Sequence, residues 1–298
     1  MTYMQRVVLA GLLFMPGMSL LAQSSASAQP TGQDQDKGFS SYVEFQGSSN
    51  SLGQVMSLDS SVGYNFNQHF GADLGLPFYF VHSSASTTSG GITSNTGLGN
   101  LHLDLHLKFK NPIVNYTSVL TGYAPTGDAS KGFSTGRATF DWNNHLDHTF
   151  GQVTPFVEAG VANTVADTLL FSRPFTTLGF LTHYQAGASM DFLELFSVGA
   201  SAYDILPSGQ QTVFSKLVQG SAGSNPSGHG PVFVNNHETT GSSDIARDNG
   251  FSGWVGASPS KYMDLQLGYT HSVHYALNTV SFGVGFNLGA LARKASRQ

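Results

Sequence analysis

Strict alternation of apolar and polar residues is the feature that most constrains the fold of this chain. From Gly99 to Lys110, one set of alternate positions is apolar and the other is polar: Leu101, Leu103, Leu105, Leu107 and Phe109 against Asn100, His102, Asp104, His106 and Lys108. Successive side chains of a β-strand point to opposite faces, whereas a helix would spread both sets around its surface. The segment is therefore predicted to be a strand with one apolar and one polar face.

The same period of two recurs between Phe39 and Leu288, so the chain is predicted to be all-β with about twelve strands. Clear alternation surrounds Val62, Leu74, Leu105, Phe140, Ala186, Leu265 and Val284, and weaker alternation lies near Tyr42, Val119, Val157, Val198 and Val255.

The connections between these segments alternate in length along the chain. The long ones are predicted over Gly47–Met56, Ser83–Thr96, Pro125–Gly136, Val165–Thr177, Pro207–Gly250 and Ser272–Leu277, and the short ones over Asn67–His69, Lys110–Ile113, His148–Gln152, Leu193–Leu195 and Ser258–Lys261. A transmembrane antiparallel up-and-down β-barrel has this pattern, with long extracellular loops and short periplasmic turns. Aromatic residues such as Phe66, Phe70, Phe192 and Phe196 flank the short turns, where a periplasmic aromatic girdle is expected.

Composition indicates which face of the strands points outward. Charged residues make up 10% of the chain, against about 25% in typical soluble domains. A barrel of about twelve strands is also wider than the eight-stranded size that side chains can just fill. The apolar face is therefore predicted to meet lipid and the polar face a wet lumen, with a soluble sandwich or adhesin-like protein as the alternative. The absence of cysteine excludes thiol chemistry, and no basic cluster indicates nucleic acid.

The N-terminus has the pattern of an export signal. One basic residue is followed by the apolar stretch Val7–Ala22 and by the small residues Ala26 and Ala28. Residues 1–28 are therefore predicted to be a signal peptide, 29–38 a short periplasmic segment, 39–288 the barrel and 289–298 a basic tail.

Several short motifs resemble a family of outer-membrane channel proteins that is associated with the meta-pathway of phenol degradation. They are Gly97-Leu98-Gly99-Asn100, Ala124-Pro125-Thr126-Gly127-Asp128, the strand from Ala138 to Trp142, and the end of the chain from Gly268 to Phe286. The family tends to carry Asp where Asn100 stands and to end near an aromatic residue. The resemblance implies uptake or efflux of small solutes, with aromatic solutes as one class.

The ionisable residues on the polar faces are the candidates for lining a solute path. They are Asp73, His102, Asp104, His106, Arg137, Asp141, His183 and Asp264. Their expected role is selection of solutes by charge and hydrogen bonding. Pro207–Gly250 is the longest connection, and it is predicted either to fold into the lumen as a constriction with Phe214, Phe233 and His237, or to be an extracellular flap.

Three groups of residues offer catalytic or metal-binding alternatives. His102, Asp104 and His106 have ligand types that suit zinc, but one strand spaces them roughly 7 Å apart, so a polar lumen stripe is favoured and no metal is predicted. Tyr269-Thr270-His271-Ser272 is similar to the active strand of outer-membrane phospholipases, but a serine hydrolase needs nucleophile and base within hydrogen-bonding reach. Asp141, His145 and Asp147 share a face with Arg137, where charges that tune permeation are favoured over an acid–base pair.

The predicted function is therefore a passive channel or transporter for small solutes in the outer membrane, with aromatic or hydrophobic solutes included. A structural or surface-interaction barrel without an open pore and a lipid-modifying barrel enzyme are the alternatives. No catalytic residue and no cofactor are predicted. The expected partners are outer-membrane lipid, the solute and the outer-membrane assembly machinery, without nucleic acid.

Overall fold

The computed structural model describes residues 37–84, 94–168, 171–192, 195–217 and 237–295, with the backbone alone for 292–295. The predicted signal peptide, most of the segment 29–38 and Phe233 lie outside the described residues. Within the described ranges, no helix is long and apolar enough to cross a membrane.

In the described residues, the main regular elements are sixteen strands and one α-helix, besides the short 3-10 helices Ala129–Lys131 and Ser243–Ala246. They are β1 (Gly38–Asn50), β2 (Gly53–Asn65), β3 (Phe70–Ser83), β4 (Ser94–Leu98), β5 (Leu101–Phe109), β6 (Asn115–Ala124), β7 (Thr139–Asp147), β8 (Val153–Ala162), β9 (Phe175–Leu178), β10 (Leu181–Phe192), β11 (Phe196–Pro207), β12 (Gln211–Ser215), β13 (Glu238–Gly241), β14 (Asp248–Ser260), β15 (Met263–Ser272), β16 (Leu277–Asn287) and α1 (Leu288–Ala295).

The long strands form a closed antiparallel barrel. The sheet runs β2-β1-β16-β15-β14-β11-β10-β8-β7-β6-β5-β3, and pairing of β2 with β3 closes it. β4 and β5 pair with successive parts of β3, so the two act as one strand that is interrupted at Gly99 and Asn100. This arrangement confirms the predicted all-β barrel of twelve strands.

The two faces of the strands differ in the way that the alternation predicts. Large apolar side chains lie on the outside, and Leu103, Trp142 and Leu267 are 46%, 47% and 54% exposed. Alternate polar residues are buried inside, and Asp104 and Glu158 are only 1% and 4% exposed. The exposed fractions therefore assign the apolar face to the exterior and the polar face to the lumen.

Most connections are long at one end of the barrel, called here the long-loop end, and all are short at the other, the short-turn end. One prediction at the long-loop end is wrong: Gly47–Met56 is no loop, since β1 and β2 stay paired up to Asn50 and Gly53. The turn is tight because the Asn50 side chain accepts a hydrogen bond from the Leu52 amide, at 2.9 Å. The β15–β16 connection is also short, at residues 273–276.

Three short strands form a second sheet within the long connections. β12 pairs with β9 and β13, so the loop that follows β8 and the loop that follows β11 are joined by a hydrogen-bonded ladder. Phe175 and Val213 of this sheet pack with Ala246 against Leu52 and Tyr275, which lie in the two short connections of the long-loop end. Four connections at this end, β1–β2, β8–β10, β11–β14 and β15–β16, therefore share one apolar cluster.

The residues predicted as a basic tail begin as a helix that packs on β1. The Asn287 side chain accepts a hydrogen bond from the Ala290 amide at 2.8 Å, and Ala290 is buried. A Cβ added at Gly289 would lie 3.0 Å from the Ser41 nitrogen, so the helix starts in close contact with β1. This helix is thus held at the short-turn end of the barrel.

Candidate functional site in the barrel lumen

The inner face of β5 carries three of the predicted lumen residues, each with its own neighbours. His106 contacts the carboxylate of Asp73 on β3, and Ser40 donates a second hydrogen bond to that carboxylate at 2.8 Å. Asp104 accepts a hydrogen bond from Thr121 on β6 at 2.5 Å. The alternation of β5 therefore places these polar groups against the neighbouring strands of the same wall.

The sequence alternative of a zinc site on β5 requires His102, Asp104 and His106 to converge. In the structure the two histidines turn to different carboxylates, His106 to Asp73 and His102 toward Asp59 and Asp104. Among the residues with described side chains, no group of three or more His, Asp or Glu is placed to hold one metal ion. The side chains of β5 thus form separate contacts.

A second polar network joins β7, β8 and β10. His183 on β10 lies 2.9 Å from an Asp141 carboxylate oxygen, so the structure brings these two predicted residues together across the lumen face. Glu158 lies 2.9 Å from Nδ1 of His145 and accepts a hydrogen bond from Asn143 at 3.2 Å. Glu158 was not singled out from the sequence, and it joins the side chains of two strands.

Two predicted residues lie apart from these networks. Arg137 precedes β7 and its side chain is exposed, so the structure does not bring it onto the inner face with Asp141, as the sequence interpretation assumed. Strand pairing begins only at Thr139, because the preceding residues belong to the β6–β7 loop. Asp264 lies on the inner face near the short-turn end, where its carboxylate accepts a hydrogen bond from Ser258 at 2.7 Å.

The loop that connects β8 to β10 enters the lumen, and its Asp167 is the centre of a polar cluster. The Asp167 carboxylate accepts hydrogen bonds from Lys216 at 2.9 and 3.0 Å, from the Tyr79 hydroxyl at 3.1 Å and from the Arg173 amide at 2.8 Å. Lys216 belongs to the loop after β11, whereas Tyr79 belongs to β3. Asp167 therefore ties two loops to the inner wall of the barrel.

Arg173 anchors the same loop to the opposite wall. Its guanidinium donates a hydrogen bond to Asp248 on β14 at 3.1 Å, and both side chains are almost completely buried. Asp248 also accepts hydrogen bonds from Ser272 at 2.6 Å and from the Tyr203 hydroxyl at 3.2 Å. The β8–β10 loop thus crosses the lumen between an anchor on β3 and an anchor on β11, β14 and β15.

The β6–β7 loop contributes an aromatic side chain to the same region. Phe133 is 4% exposed and its ring stacks on Tyr79 with centroids 5.2 Å apart. Gly132 adopts φ +71, and a Cβ there would lie 2.1 Å from the Ser215 carbonyl oxygen, so only glycine fits this close approach of two loops.

Earlier in the β6–β7 loop, hydrogen bonds from Ser130, together with the Lys131 ammonium, hold the pKa of the Asp128 carboxyl below its usual value.

Two cavities lie on either side of the segment Thr164–Thr168, which lines both. They enclose about 900 and 840 Å³ of empty space, including the part open to solvent. The first, called the β3–β6 cavity, is lined by Asp59, Tyr79, His102, Asp104, Tyr123 and Phe133 among others. The second, called the β7–β14 cavity, is lined by Asp141, Phe171, Arg173, His183, Tyr203 and Ser252 among others.

The predicted constriction residues of Pro207–Gly250 have different positions. Phe214 is buried in β12, and His237 lies 2.8 Å through Nε2 from the Ala129 carbonyl oxygen. Phe233 lies outside the described residues. Between the two cavities stands the shorter loop after β8, to which the sequence interpretation gave no role.

Several residues of the site were missed from the sequence, among them Tyr79, Glu158, Asp167, Arg173, Lys216 and Asp248. A signal for three of them was present. Asp167, Arg173 and Lys216 are charges in long connections of a chain that is 10% charged, and an isolated charge in such a loop needs a partner when it is buried. Which partner it finds depends on long-range packing, which local alternation does not encode.

The structure does not bring His271 and Ser272 together as the hydrolase alternative requires. His271 points outward and lies 2.6 Å through Nδ1 from the Asn278 side-chain oxygen, whereas Ser272 is buried and donates to Asp248. The histidine and the serine are therefore on opposite faces of β15, as expected for neighbours in a strand.

No family model matches the chain, and no curated protein matches it either. Among solved structures, an outer-membrane channel from Pseudomonas putida F1 has a TM-score of 0.55 and 10% identity, covering 85% of this chain and 96% of that one. The KdgM porin in complex with disordered oligogalacturonate has a TM-score of 0.47 and 7% identity, over 82% and 98% of the two chains. The NanC porin has a TM-score of 0.45 and 7% identity, covering 82% of this chain and 98% of that one. The first likeness shows that this chain shares the barrel fold of an outer-membrane channel.

Proposed function

We propose that this chain is an outer-membrane channel through which small solutes pass passively. The observation that carries the proposal is the separation of the two faces around a closed barrel. Large apolar side chains are exposed on the outside, and ionisable side chains are buried inside. In a bilayer every backbone polar group must be satisfied internally, and a closed barrel achieves this without a free edge.

The lumen chemistry supports solutes that combine an apolar or aromatic part with polar groups. Tyr79, Tyr123 and Phe133 line the β3–β6 cavity, and Phe171 and Tyr203 line the β7–β14 cavity. Carboxylates and hydroxyls line both cavities as well. A site of this kind holds the apolar part of a ligand against its rings and orients it with a few polar contacts.

The β8–β10 loop is the constriction in this proposal. It stands between the two cavities and is anchored on opposite walls through Asp167 and Arg173. A solute that moves along the lumen must pass this segment, so the loop limits the size of the solute and the side chains around it contribute selectivity.

Purified protein in planar bilayers tests the proposal directly. We expect discrete current steps in concentrated KCl, and faster swelling of liposomes with small neutral solutes than with large ones. Heat-modifiable migration on a denaturing gel first establishes that the inserted protein is a folded barrel.

A folded barrel that inserts but passes neither ions nor solutes would contradict the channel and favour the structural barrel. Phospholipid turnover by the same preparation would instead favour the lipid-modifying enzyme. For that measurement the control is His271→Ala, since His271 carries the outward imidazole beside Asn278.

A further inference from the structure

In the β3–β6 cavity, the carboxylates of Asp59 and Asp104 have only long contacts to the imidazole of His102. His102 Nε2 lies 3.5 Å from Asp104 Oδ2 and 3.8 Å from Asp59 Oδ2. Neither separation gives a hydrogen bond of normal geometry. By contrast, the carboxylates of Asp141 and Glu158 each lie 2.9 Å from an imidazole nitrogen.

Asp104 is the clearest case of an incomplete environment. Its side chain is 1% exposed, and Thr121 donates to its Oδ1. Its Oδ2, like Oδ1 of Asp59, is buried and has no hydrogen-bond partner in the described part of the chain. Leaving such an oxygen unpaired is costly, and more so when the group is charged, so a group that fills this position with a donor is stabilised there.

The same cavity already holds one ammonium group, that of Lys216. Its Nζ lies 2.9 Å from Asp167 and 4.6 Å from the centre of the Tyr79 ring. An ammonium between a carboxylate and an aromatic face is stabilised by charge and by the quadrupole of the ring. Lys216 thus shows that this cavity can hold an ammonium group between a carboxylate and an aromatic ring.

The second half of the cavity repeats this chemistry without a lysine or arginine among the described residues. Asp59 and Asp104 supply the carboxylates, and the Tyr123 ring lies 6.0 Å from the His102 ring on the same wall. Four carboxyl groups line the cavity, those of Glu44, Asp59, Asp104 and Asp167, whereas Lys216 is its one lysine or arginine among the described residues. The local charge therefore favours a positively charged ligand.

We propose that the β3–β6 cavity is a binding subsite for small organic cations that carry a primary ammonium and an aromatic or apolar group. The ammonium donates to Asp104 and Asp59, and the apolar group lies against Tyr123 and Phe133. The proposal rests on the proposed function, because the ligand is a solute that enters through the lumen, but binding is measurable without any current.

The test is calorimetric titration of the detergent-solubilised barrel with phenethylammonium, with 2-phenylethanol as the uncharged probe. We expect phenethylammonium to bind and 2-phenylethanol to bind at least about tenfold more weakly, as the loss of a charge-assisted hydrogen bond requires. Asp104→Asn keeps the shape of the side chain and removes its charge, so it is expected to weaken phenethylammonium binding by about tenfold or more as well.

Asp264→Asn is the matched control, because Asp264 is an inner-face carboxylate that lines neither cavity. It is expected to bind phenethylammonium like the wild type. If Asp104→Asn does not fold, as judged by heat-modifiable migration, Asp59→Asn takes its place with the same expected loss.

Two results would overturn the subsite: a wild-type barrel that binds neither probe, or equal affinity for the charged and the uncharged probe. Either result leaves the channel proposal standing if the same preparation conducts KCl. A preparation that binds phenethylammonium but conducts no ions would contradict the channel proposal and support the subsite.

Discussion

The two walls of the lumen are built from different side chains. The inner faces of β1–β8, called here the charged wall, carry Glu44, Asp59, Asp73, His102, Asp104, His106, Lys108, Asp141, His145, Asp147 and Glu158. The inner faces of β11 and β14–β16, called the small-residue wall, are mostly Gly, Ser and Thr. Its carboxylates are Asp248 at the long-loop end and Asp264 at the short-turn end. One sheet thus presents two different surfaces to its interior.

The walls also hold their strands together differently. On the charged wall, side chains join neighbouring strands through pairs such as His145 with Glu158 and His106 with Asp73. On the small-residue wall, glycine lets a large neighbour lie flat, since a Cβ at Gly199 would come within 2.2 Å of the Trp254 ring. The comparison teaches that buried ionisable side chains cluster on one wall, where most of them contact a partner on a neighbouring strand, as buried ionic groups require.

The β8–β10 loop connects the two walls. The Asp167 carboxylate accepts a hydrogen bond from the Tyr79 hydroxyl of the charged wall. The Arg173 guanidinium donates a hydrogen bond to Asp248 of the small-residue wall. The attachment of the loop to the small-residue wall, which has few charges of its own, therefore depends on a single cation, the Arg173 guanidinium.

Arg173→Ala should have the largest effect, because it leaves Asp248 buried without its cation. Breaking a buried ion pair in this way costs about 3–5 kcal/mol of unfolding free energy. Losing the anchor on the small-residue wall should also widen the passage. Urea titration in detergent measures the first effect, and single-channel conductance, which is expected to rise, measures the second.

The control for this prediction is the double variant Arg173→Ala with Asp248→Asn, which removes the unpaired charge and should recover part of the lost stability. Unchanged unfolding and conductance in Arg173→Ala would mean that the small-residue wall does not hold the loop.

Glu158→Ala should have an intermediate effect, because it removes the acceptor for two buried donors, on Asn143 and His145. Each buried group left unpaired costs about 1–3 kcal/mol. The matched variant on the other wall is Ser201→Ala, which removes one neutral hydrogen bond, from Gln185 at 2.8 Å. That bond contributes about 0.5–1.5 kcal/mol.

Heat-modifiable migration over a temperature series compares the two variants. Glu158→Ala should lose its folded band at a clearly lower temperature than Ser201→Ala. Equal decreases in that temperature would show that the networks of charged side chains do not hold the strands of the charged wall together more strongly than those of the small-residue wall.

Much of the barrel could be predicted from the sequence, because its main constraint is local. Alternation such as that of Leu103 and Asp104 assigns a strand and its two faces from neighbouring residues alone. The tight turn at Ser51 and Leu52 was missed because Gly47–Met56 is poor in large apolar residues, although a ladder needs only backbone groups. The strand pairing through Ser48 and Ser49 was therefore invisible to a hydropathy pattern.

The site could be predicted only in part, for a related reason. Alternation predicts both Asp141 and His183 on the inner face, but their contact joins strands that are not neighbours in the barrel, because β8 lies between them. The bridge from Tyr79 through Asp167 to Lys216 joins residues far apart in the sequence. Such contacts depend on how the loops fold into the barrel, which residue types alone do not determine.

The smallest expected effect concerns ion selectivity in the β7–β14 cavity, which both walls line. Asp141 of the charged wall and Ser252 of the small-residue wall face it together. Asp141→Asn should lower the preference for K⁺ over Cl⁻, and Ser252→Asp should raise it. A charge at about 4 Å in water contributes about 1 kcal/mol, so each change in the permeability ratio should stay below about fivefold.

The reversal potential in a KCl gradient measures both variants and compares the walls. His183 lies beside Asp141 and balances part of its charge when protonated, whereas Ser252 pairs only with the neutral Thr270 hydroxyl, at 2.9 Å, among the described hydrogen bonds. Ser252→Asp should therefore shift the potential more than Asp141→Asn, and both shifts should shrink at high salt as screening increases. A larger shift from Asp141→Asn would place the ion path against the charged wall instead, and the small-residue wall would then be a packing surface rather than the side along which solutes move.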